Sequence, residues 1–381
     1  MKALLFIIII SSLVLLSQTI KSQTFNLAGH LQGRDTGWIV LRYYDSHEKW
    51  VQDTTNLKKG NFKFQGQINE PTYASLKGYD KEINFDEVNY VGIFLEPTFQ
   101  KISLKENDYQ NADTKGSISQ KEYDILRNSL NSIELKWKPE NDEFLEAKKN
   151  AIAHQGDSLV QKKYNILYKK LQPKYNTITH AGISFIGQHP DSYVSAYFLG
   201  IYLNQLSIDS LELLYSRFTS RIKNSRFGKW DFEEIEKIKQ TSIGSTAPEF
   251  DAKDINDKKI SLYNLRGRLV LLDFWASWCI PCIENFPYLK NLYRQYHTKG
   301  FEIVAISIDR SNEDWMKAVD QQKVGDWINV LVNATIRNNY RNTTLPIPSE
   351  ILIDESGKII WTSNNENNIE KLGLFLKKYL N

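Results

Sequence analysis

Val270-Leu271-Leu272-Asp273-Phe274-Trp275-Ala276-Ser277-Trp278-Cys279-Ile280-Pro281-Cys282 decides how the last third of this chain folds. From Leu269 to Phe274 the run is apolar, broken only by Asp273. A short continuous run of this kind predicts a strand buried on both faces. Two cysteines follow on a turn into a helix that reaches about His297. They are the only cysteines among 381 residues. A chain that places none elsewhere for packing or structural bridges keeps this pair for chemistry. Two thiols separated by two residues are suited to thiol–disulfide exchange.

The chemistry follows from position. Cys279 falls at or just before the first helical turn, where unpaired N–H groups and the helix dipole favour negative charge. That lowers the thiol pKa and makes Cys279 the nucleophile. Pro281 suits the first turn, where its missing N–H is not needed. Cys282, one turn in, is expected to be more buried and to act as the resolving thiol. Asp273 lies nine residues before Cys282 inside an apolar strand. Burial there is costly without a task and raises its pKa. Asp273 is then placed to take the Cys282 proton through water; the plainer alternative is an Asp capping or solvated at the strand end. A C-x-x-C is also half of a zinc site, but no second pair exists and the six histidines show no ligand spacing. No metal and no cofactor is expected.

Working outward, Phe301 to Ile308, Ile328 to Val332, Glu350 to Ile353 and Lys358 to Trp361 read as strands. Asn312 to Gln322 and Asn368 to Leu380 read as helices. Strands alternating with helices predict an α/β sheet with helices on both faces. Upstream, Gln240 to Pro248 is rich in small residues, with Gly244 and Pro248, and marks a boundary. Residues 118–240 carry apolar residues at helical spacing: Tyr123, Leu126, Leu130, Ile133 and Trp137, then Val160, Tyr164, Leu167 and Leu171. Val194 to Leu214 reads as a third, more buried helix. Residues 24–105 alternate in strand fashion around Phe25, Leu27, Leu31, Trp38 to Tyr44, Asn61 to Gln65, Val91 to Leu95 and Ile102 to Leu104. That argues an antiparallel sandwich or barrel.

Met1-Lys2, then apolar Ala3 to Leu16, then Ser17 to Gln23 reads as a secretory signal peptide. The run is short for a membrane span; an uncleaved anchor is the alternative. Cleavage after Ser22 removes Lys2 and Lys21 and takes the formal net charge from +3 to +1. With cysteines only at 279 and 282, a lipid-anchored cysteine is excluded. The sequence therefore divides into a signal peptide at 1–22, a β-rich domain at 23–117, a helical region at 118–240 and a redox domain at 241–381. Lys and Arg number 48 against 45 Asp and Glu, which leaves no basic footprint for nucleic acid. Sequons at Asn333 and Asn342 carry little weight.

The quoted stretch closely resembles the active-site strand and motif of thioredoxins, with a buried Asp at the matching place. Their fold sets a cis-proline beside the cysteines, just before a strand. Pro348-Ser349-Glu350-Ile351-Leu352-Ile353-Asp354 resembles that element, which makes Pro348 the cis-proline and Ile347 the residue that offers its backbone to an extended substrate. Pro346 is the competing candidate. Trp278 is the further substrate contact. Phe301 to Asp309, with Trp315 and Trp327, is similar to exported reductases of the TlpA/ResA type. Gly116-Ser117-Ile118-Ser119-Gln120-Lys121-Glu122-Tyr123 fits a multidomain type seen in Bacteroidetes, in which a β-rich domain of unknown function leads through helices to the thioredoxin-like domain.

The resemblance implies an exported protein-disulfide oxidoreductase, read first as a reductase. Its implied partners are disulfide-bearing proteins, apocytochromes in cytochrome c maturation among them, and a membrane electron-donor thiol reductase. Oxidase or isomerase is the second reading, a thiol peroxidase a weaker one, and a binding protein with a vestigial domain the third. Two positions depart from the family. Asn285 stands where a Glu is common, three residues after the second Cys. Ile280-Pro281 lacks both the Gly of thioredoxin and the charge of some exported relatives.

Overall fold

The computed structural model describes residues 23–78, 88–154, 158–340, 347–363 and 369–380. The signal-peptide segment, Asn342, Pro346 and Asn368 lie outside the described residues. The chain forms two compact units, residues 1–127 and 128–381.

The first unit is all-β. Its strands are β1 (Gln23–Gln32), β2 (Trp38–Tyr44), β3 (Trp50–Asn56), β4 (Asn61–Ile68), β5 (Thr72–Gly78), β6 (Tyr90–Leu95), β7 (Phe99–Lys105) and β8 (Asp113–Lys115). They make two four-stranded sheets, ordered β4-β1-β7-β8 and β3-β2-β5-β6. Alternate residues of both sheets meet in one core: Phe25, Leu27 and Phe64 from the first, Ile39, Leu76 and Ile93 from the second. The expected sandwich is present, but it is not wholly antiparallel, because β1 and β7 pair in parallel. The long stretch between them allows it; parallel neighbours need a crossover, which strand patterning alone does not reveal.

The segment Gly116 to Tyr123 ties the first turn of α1 (Ile118–Lys136) to β6. Gly116 has φ +96°, and a Cβ there would stand 2.3 Å from the Phe99 carbonyl oxygen. The Ser117 hydroxyl accepts the Gln120 N–H at 2.9 Å. Buried Gln120 accepts the Phe94 N–H at 2.7 Å and donates to Asp124 at 2.9 Å. Tyr123 packs edge-on against Tyr73 and leans on Phe94.

The second unit continues through α2 (Lys138–Ala153), α3 (Ser158–Lys170), α4 (Gln172–Gln188), α5 (Tyr193–Tyr202), α6 (Ile208–Arg217), α7 (Ser220–Lys223) and α8 (Arg226–Gln240). Phe144 and Ala147 of α2 pack on Leu167 of α3 and on Leu171. The single helix expected over Val194 to Leu214 is two, α5 and α6. Ser207 caps α6 by accepting the Ser210 N–H at 3.3 Å, and a cap of this kind stops one helix and starts the next inside an apolar run.

The redox domain has β9 (Asp251–Lys253) and β10 (Lys259–Ser261) as a hairpin, then β11 (Leu269–Trp275), α9 (Ile280–Tyr296), β12 (Phe301–Ser307), α10 (Asn312–Gln322), β13 (Ile328–Leu331), α11 (Ala334–Asn339), β14 (Ser349–Ile353), β15 (Ile359–Thr362) and α12 (Leu372–Leu380). The sheet order is β13-β12-β11-β14-β15. β11 pairs in parallel with β12 and antiparallel with β14. One face is covered by α9, α10 and α12 over Leu271, Trp275 and Ile303. The other is covered by α11 and by Ala247, Phe250 and Leu262 over Val270, Leu272 and Phe274. Residues of the expected linker are not slack: Gly244 and Ala247 donate to the carbonyls of Ile359 and Gly357, and Ser245 accepts from Ile359.

Replacing Gln120 with Ala removes the acceptor from buried backbone at Phe94. This should destabilise the β-rich unit by about 1–3 kcal/mol, read as a lower denaturant midpoint for that unit. An unchanged midpoint would show that the segment is not a clasp.

Candidate active site

β11 is the middle strand, and it delivers the cysteines. Its last residue, Trp275, is followed by four residues, Ala276 to Cys279, and α9 then starts at Ile280. Cys279 occupies the extended position before the helix, and its Sγ accepts the Cys282 N–H at 3.3 Å. The Cys279 N–H reaches the Ala276 carbonyl at 3.0 Å, which tightens the turn. Pro281 sits in the first turn, as its missing donor allows. The two cysteines form a disulfide with an S–S bond of 2.02 Å. Cys279 is 5% exposed and Cys282 1%, so the first thiol is the more accessible. Trp278, beside it, is 65% exposed.

The Ile347–Pro348 peptide is cis. Ser349 opens β14 and pairs with Phe274 of β11. Pro348, the next residue outward, therefore flanks the end of β11 where the redox loop begins. Half-buried Ile347 packs against the cores on both faces of the sheet.

Asp273 points to the sheet face that α9 covers, as its neighbours at alternate positions, Leu271 and Trp275, do. It is 1% exposed, and its Oδ2 has no hydrogen-bond partner among the described residues. Burial, and then the nearby Glu350, hold its carboxyl well above the usual carboxylate range.

Two further acids belong to this site, and sequence reasoning gave neither a role. Glu350 on β14 stands directly opposite Asp273. It is 2% exposed, and burial raises its carboxyl while Ser363 and Asn285 work the other way. Its signal was a lone Glu at the start of an apolar strand. Asn285, first noticed as a departure from the family, donates its Nδ2–H to Glu350 Oε1 at 3.3 Å. Asp309 follows β12, and its carboxylate accepts from the Ser277 N–H at 2.9 Å, the Ser277 hydroxyl at 2.7 Å and the Ser307 hydroxyl at 2.7 Å. It thus clamps the loop just before Trp278 and Cys279. An acid directly after a buried strand is the signal that could have found it.

The structure brings Cys279, Cys282, Asp273, Pro281, Trp278, Ile347 and Pro348 to one end of the sheet. The arrangement supports a reversible dithiol–disulfide couple in which the first cysteine is slightly more exposed than the second, with a buried carboxyl on the same face.

Asp273 also predicts a stability effect with a definite sign. The unfolded chain loses this proton near the ordinary carboxyl pKa of about 4, whereas the folded chain keeps it to higher pH. Above that value the folded state binds more protons, so stability falls as pH rises until the folded group itself ionises. Asp273→Asn should therefore stabilise the oxidised protein, and by more at pH 8 than at pH 5, in denaturant titrations. An equal effect at both pH values would contradict the burial argument.

Residues 243–362 match the AhpC/TSA family, and residues 25–123 match a domain of unknown function, DUF4369. The thiol-disulfide oxidoreductase ResA of Bacillus thuringiensis subsp. konkukian is 34% identical over 142 residues, covering 37% of this chain and 81% of the relative. ResA of Bacillus anthracis is 35% identical over 147 residues, covering 39% of this chain and 82% of the relative. Among solved structures, the thioredoxin domain of a thiol-disulfide oxidoreductase from Bacteroides vulgatus is similar, at 31% identity and a TM-score of 0.33, over 37% of this chain and 99% of that one.

Proposed function

This chain belongs to the ResA family of thiol–disulfide oxidoreductases, and we propose that it works outside the cytosol as a reductase of protein disulfides. It is a protein-disulfide oxidoreductase with a thioredoxin-like domain. The single observation that carries the mechanism is Cys279 capping α9 while bonded to the more buried Cys282. In the reduced enzyme the helix N-terminus favours the Cys279 thiolate. That thiolate attacks a substrate disulfide, forms a mixed disulfide and releases one substrate thiolate. Cys282 then loses its proton, attacks the Cys279 sulfur and releases the second substrate thiolate. Two electrons pass to the substrate, and the pair ends as the disulfide seen here.

Trp278 offers an apolar surface beside the nucleophile, and the Ile347 backbone next to Pro348 is the docking edge for an extended substrate segment. Asp273 accepts the Cys282 proton. Asp309 acts through Ser277 as a positioning residue. Residues 1–22 are the export signal, 23–117 and 118–240 are the β-rich and helical parts, and 241–381 is the redox domain. Among the described residues no helix is long and apolar enough to cross a membrane. An exported pair lies beyond cytosolic reductants, so a membrane thiol reductase is proposed to restore the dithiol, and apocytochromes in cytochrome c maturation are proposed as clients.

In an insulin-reduction assay, Cys279→Ser should fall to background. Cys282→Ser should accumulate a mixed disulfide with a client protein that is absent when Cys279 is also replaced. Wild type and Cys279→Ser behaving alike would overturn the enzymatic reading, and no Cys279-dependent adduct would overturn protein substrates.

A further inference from the structure

Asp273 and Glu350 are directly opposed on antiparallel β11 and β14. Opposed residues share a face of the sheet, with Cβ atoms about 4.5–5.5 Å apart. Both side chains are almost fully buried. The groups facing them are known from each packed element. On β12 the partner of Asp273 is Ala305. Just past β15, the Ser363 hydroxyl accepts the Glu350 N–H at 2.8 Å. From α9 comes Asn285; the disulfide-bonded Cys279 and Cys282 at the start of that helix belong to the core on the same sheet face, while Glu284 lies on the exposed side of the helix. α12 contributes Leu372 and Leu376 to the core on that face. Among the described residues, Glu350 is the charged group that acts on Asp273, and no Lys, Arg or His compensates either acid.

Two buried carboxylates this close, with no cation, do not both ionise. The donors decide which one keeps the charge. Asn285 donates to Glu350, whereas Asp273 Oδ2 has no donor among the described residues. We propose that Asp273 and Glu350 hold one proton between them under α9, with the charge on Glu350 and the proton on Asp273, so that Glu350 is the positioning residue that sets when Asp273 can accept the Cys282 proton. This rests on the dithiol cycle above. In that cycle the mixed disulfide between Cys279 and substrate resolves when the Cys282 S–H proton passes to ionised Asp273. The Cys282 sulfur then forms the bond to the Cys279 sulfur, and the Cys279–substrate S–S bond breaks with its electron pair leaving on the substrate thiolate. A negative Glu350 opposes ionisation of Asp273 and moves this step to higher pH.

The test is the oxidation of the reduced full chain by insulin, followed by rapid mixing, with the attack phase and the resolution phase separated. Glu350→Gln should shift the acid-side midpoint of the resolution phase down by about one pH unit or more, because the like charge is gone. An unmoved midpoint overturns the role of Glu350. A wild type that shows no Cys279-dependent attack phase overturns the dithiol cycle instead, so the two failures are distinguishable. A second measurement does not need the Glu350 variant to fold. The infrared difference between oxidised wild type and Asp273→Asn at pH 7 should contain the C=O band of one protonated carboxyl. A carboxylate band in its place overturns the shared proton.

Discussion

Everything at this site depends on where one helix begins. The N-terminus of α9 lies at the end of the middle strand of the sheet, and Cys279 is its cap. The first N–H groups of a helix have no partner within it. Here one of them, from Cys282, points at sulfur. The same groups that need an acceptor therefore favour a thiolate. That constraint explains much of the surroundings. β11 must be flanked on both sides so that its end is fixed, and β12 and β14 do this. The loop between strand and helix must not drift, and Asp309 holds it through Ser277.

Three of the buried acids in this domain, Asp273, Asp309 and Glu350, illustrate how environment separates roles. Asp309 accepts three hydrogen bonds from its neighbours, and they tie it to the loop before Cys279. Glu350 has the Asn285 amide. Asp273 has one oxygen without a partner among the described residues and a like group opposite. Donors stabilise charge, whereas desolvation and a like charge oppose it: burial and Glu350 hold Asp273 well above the usual carboxylate range, while Ser363 and Asn285 work against burial at Glu350. Asp273, the acid with the fewest donors, and Glu350 opposite it both lie on the face next to the cysteine helix.

Much of the redox domain was legible. Continuous apolar runs gave β11, β12 and β14, and α10 ends at the residues its spacing indicates. The cysteine spacing located the disulfide at the start of α9, and the lone Asp the buried acid on β11. What escaped was set by tertiary contact. β3 is an edge strand whose residues alternate between exposed and half-exposed, so it carries no apolar signal. β5 hides behind a buried Lys77. α2 and α4 open with a proline in the first turn and no capping side chain, so their starts look like loops. Glu350 and Asp309 could not be paired with Asp273 and Ser277 from spacing, because each pairing is made across strands far apart in sequence.

The central claim is that α9 activates Cys279, and the most direct measurement is the pH dependence of Cys279 alkylation in the reduced Cys282→Ser chain. The account predicts a half-maximal rate at a pH clearly below the value of about 8.5 for an unperturbed thiol, and a loss of that advantage when the chain is unfolded in denaturant. A midpoint at or above 8.5 in the folded protein would contradict it.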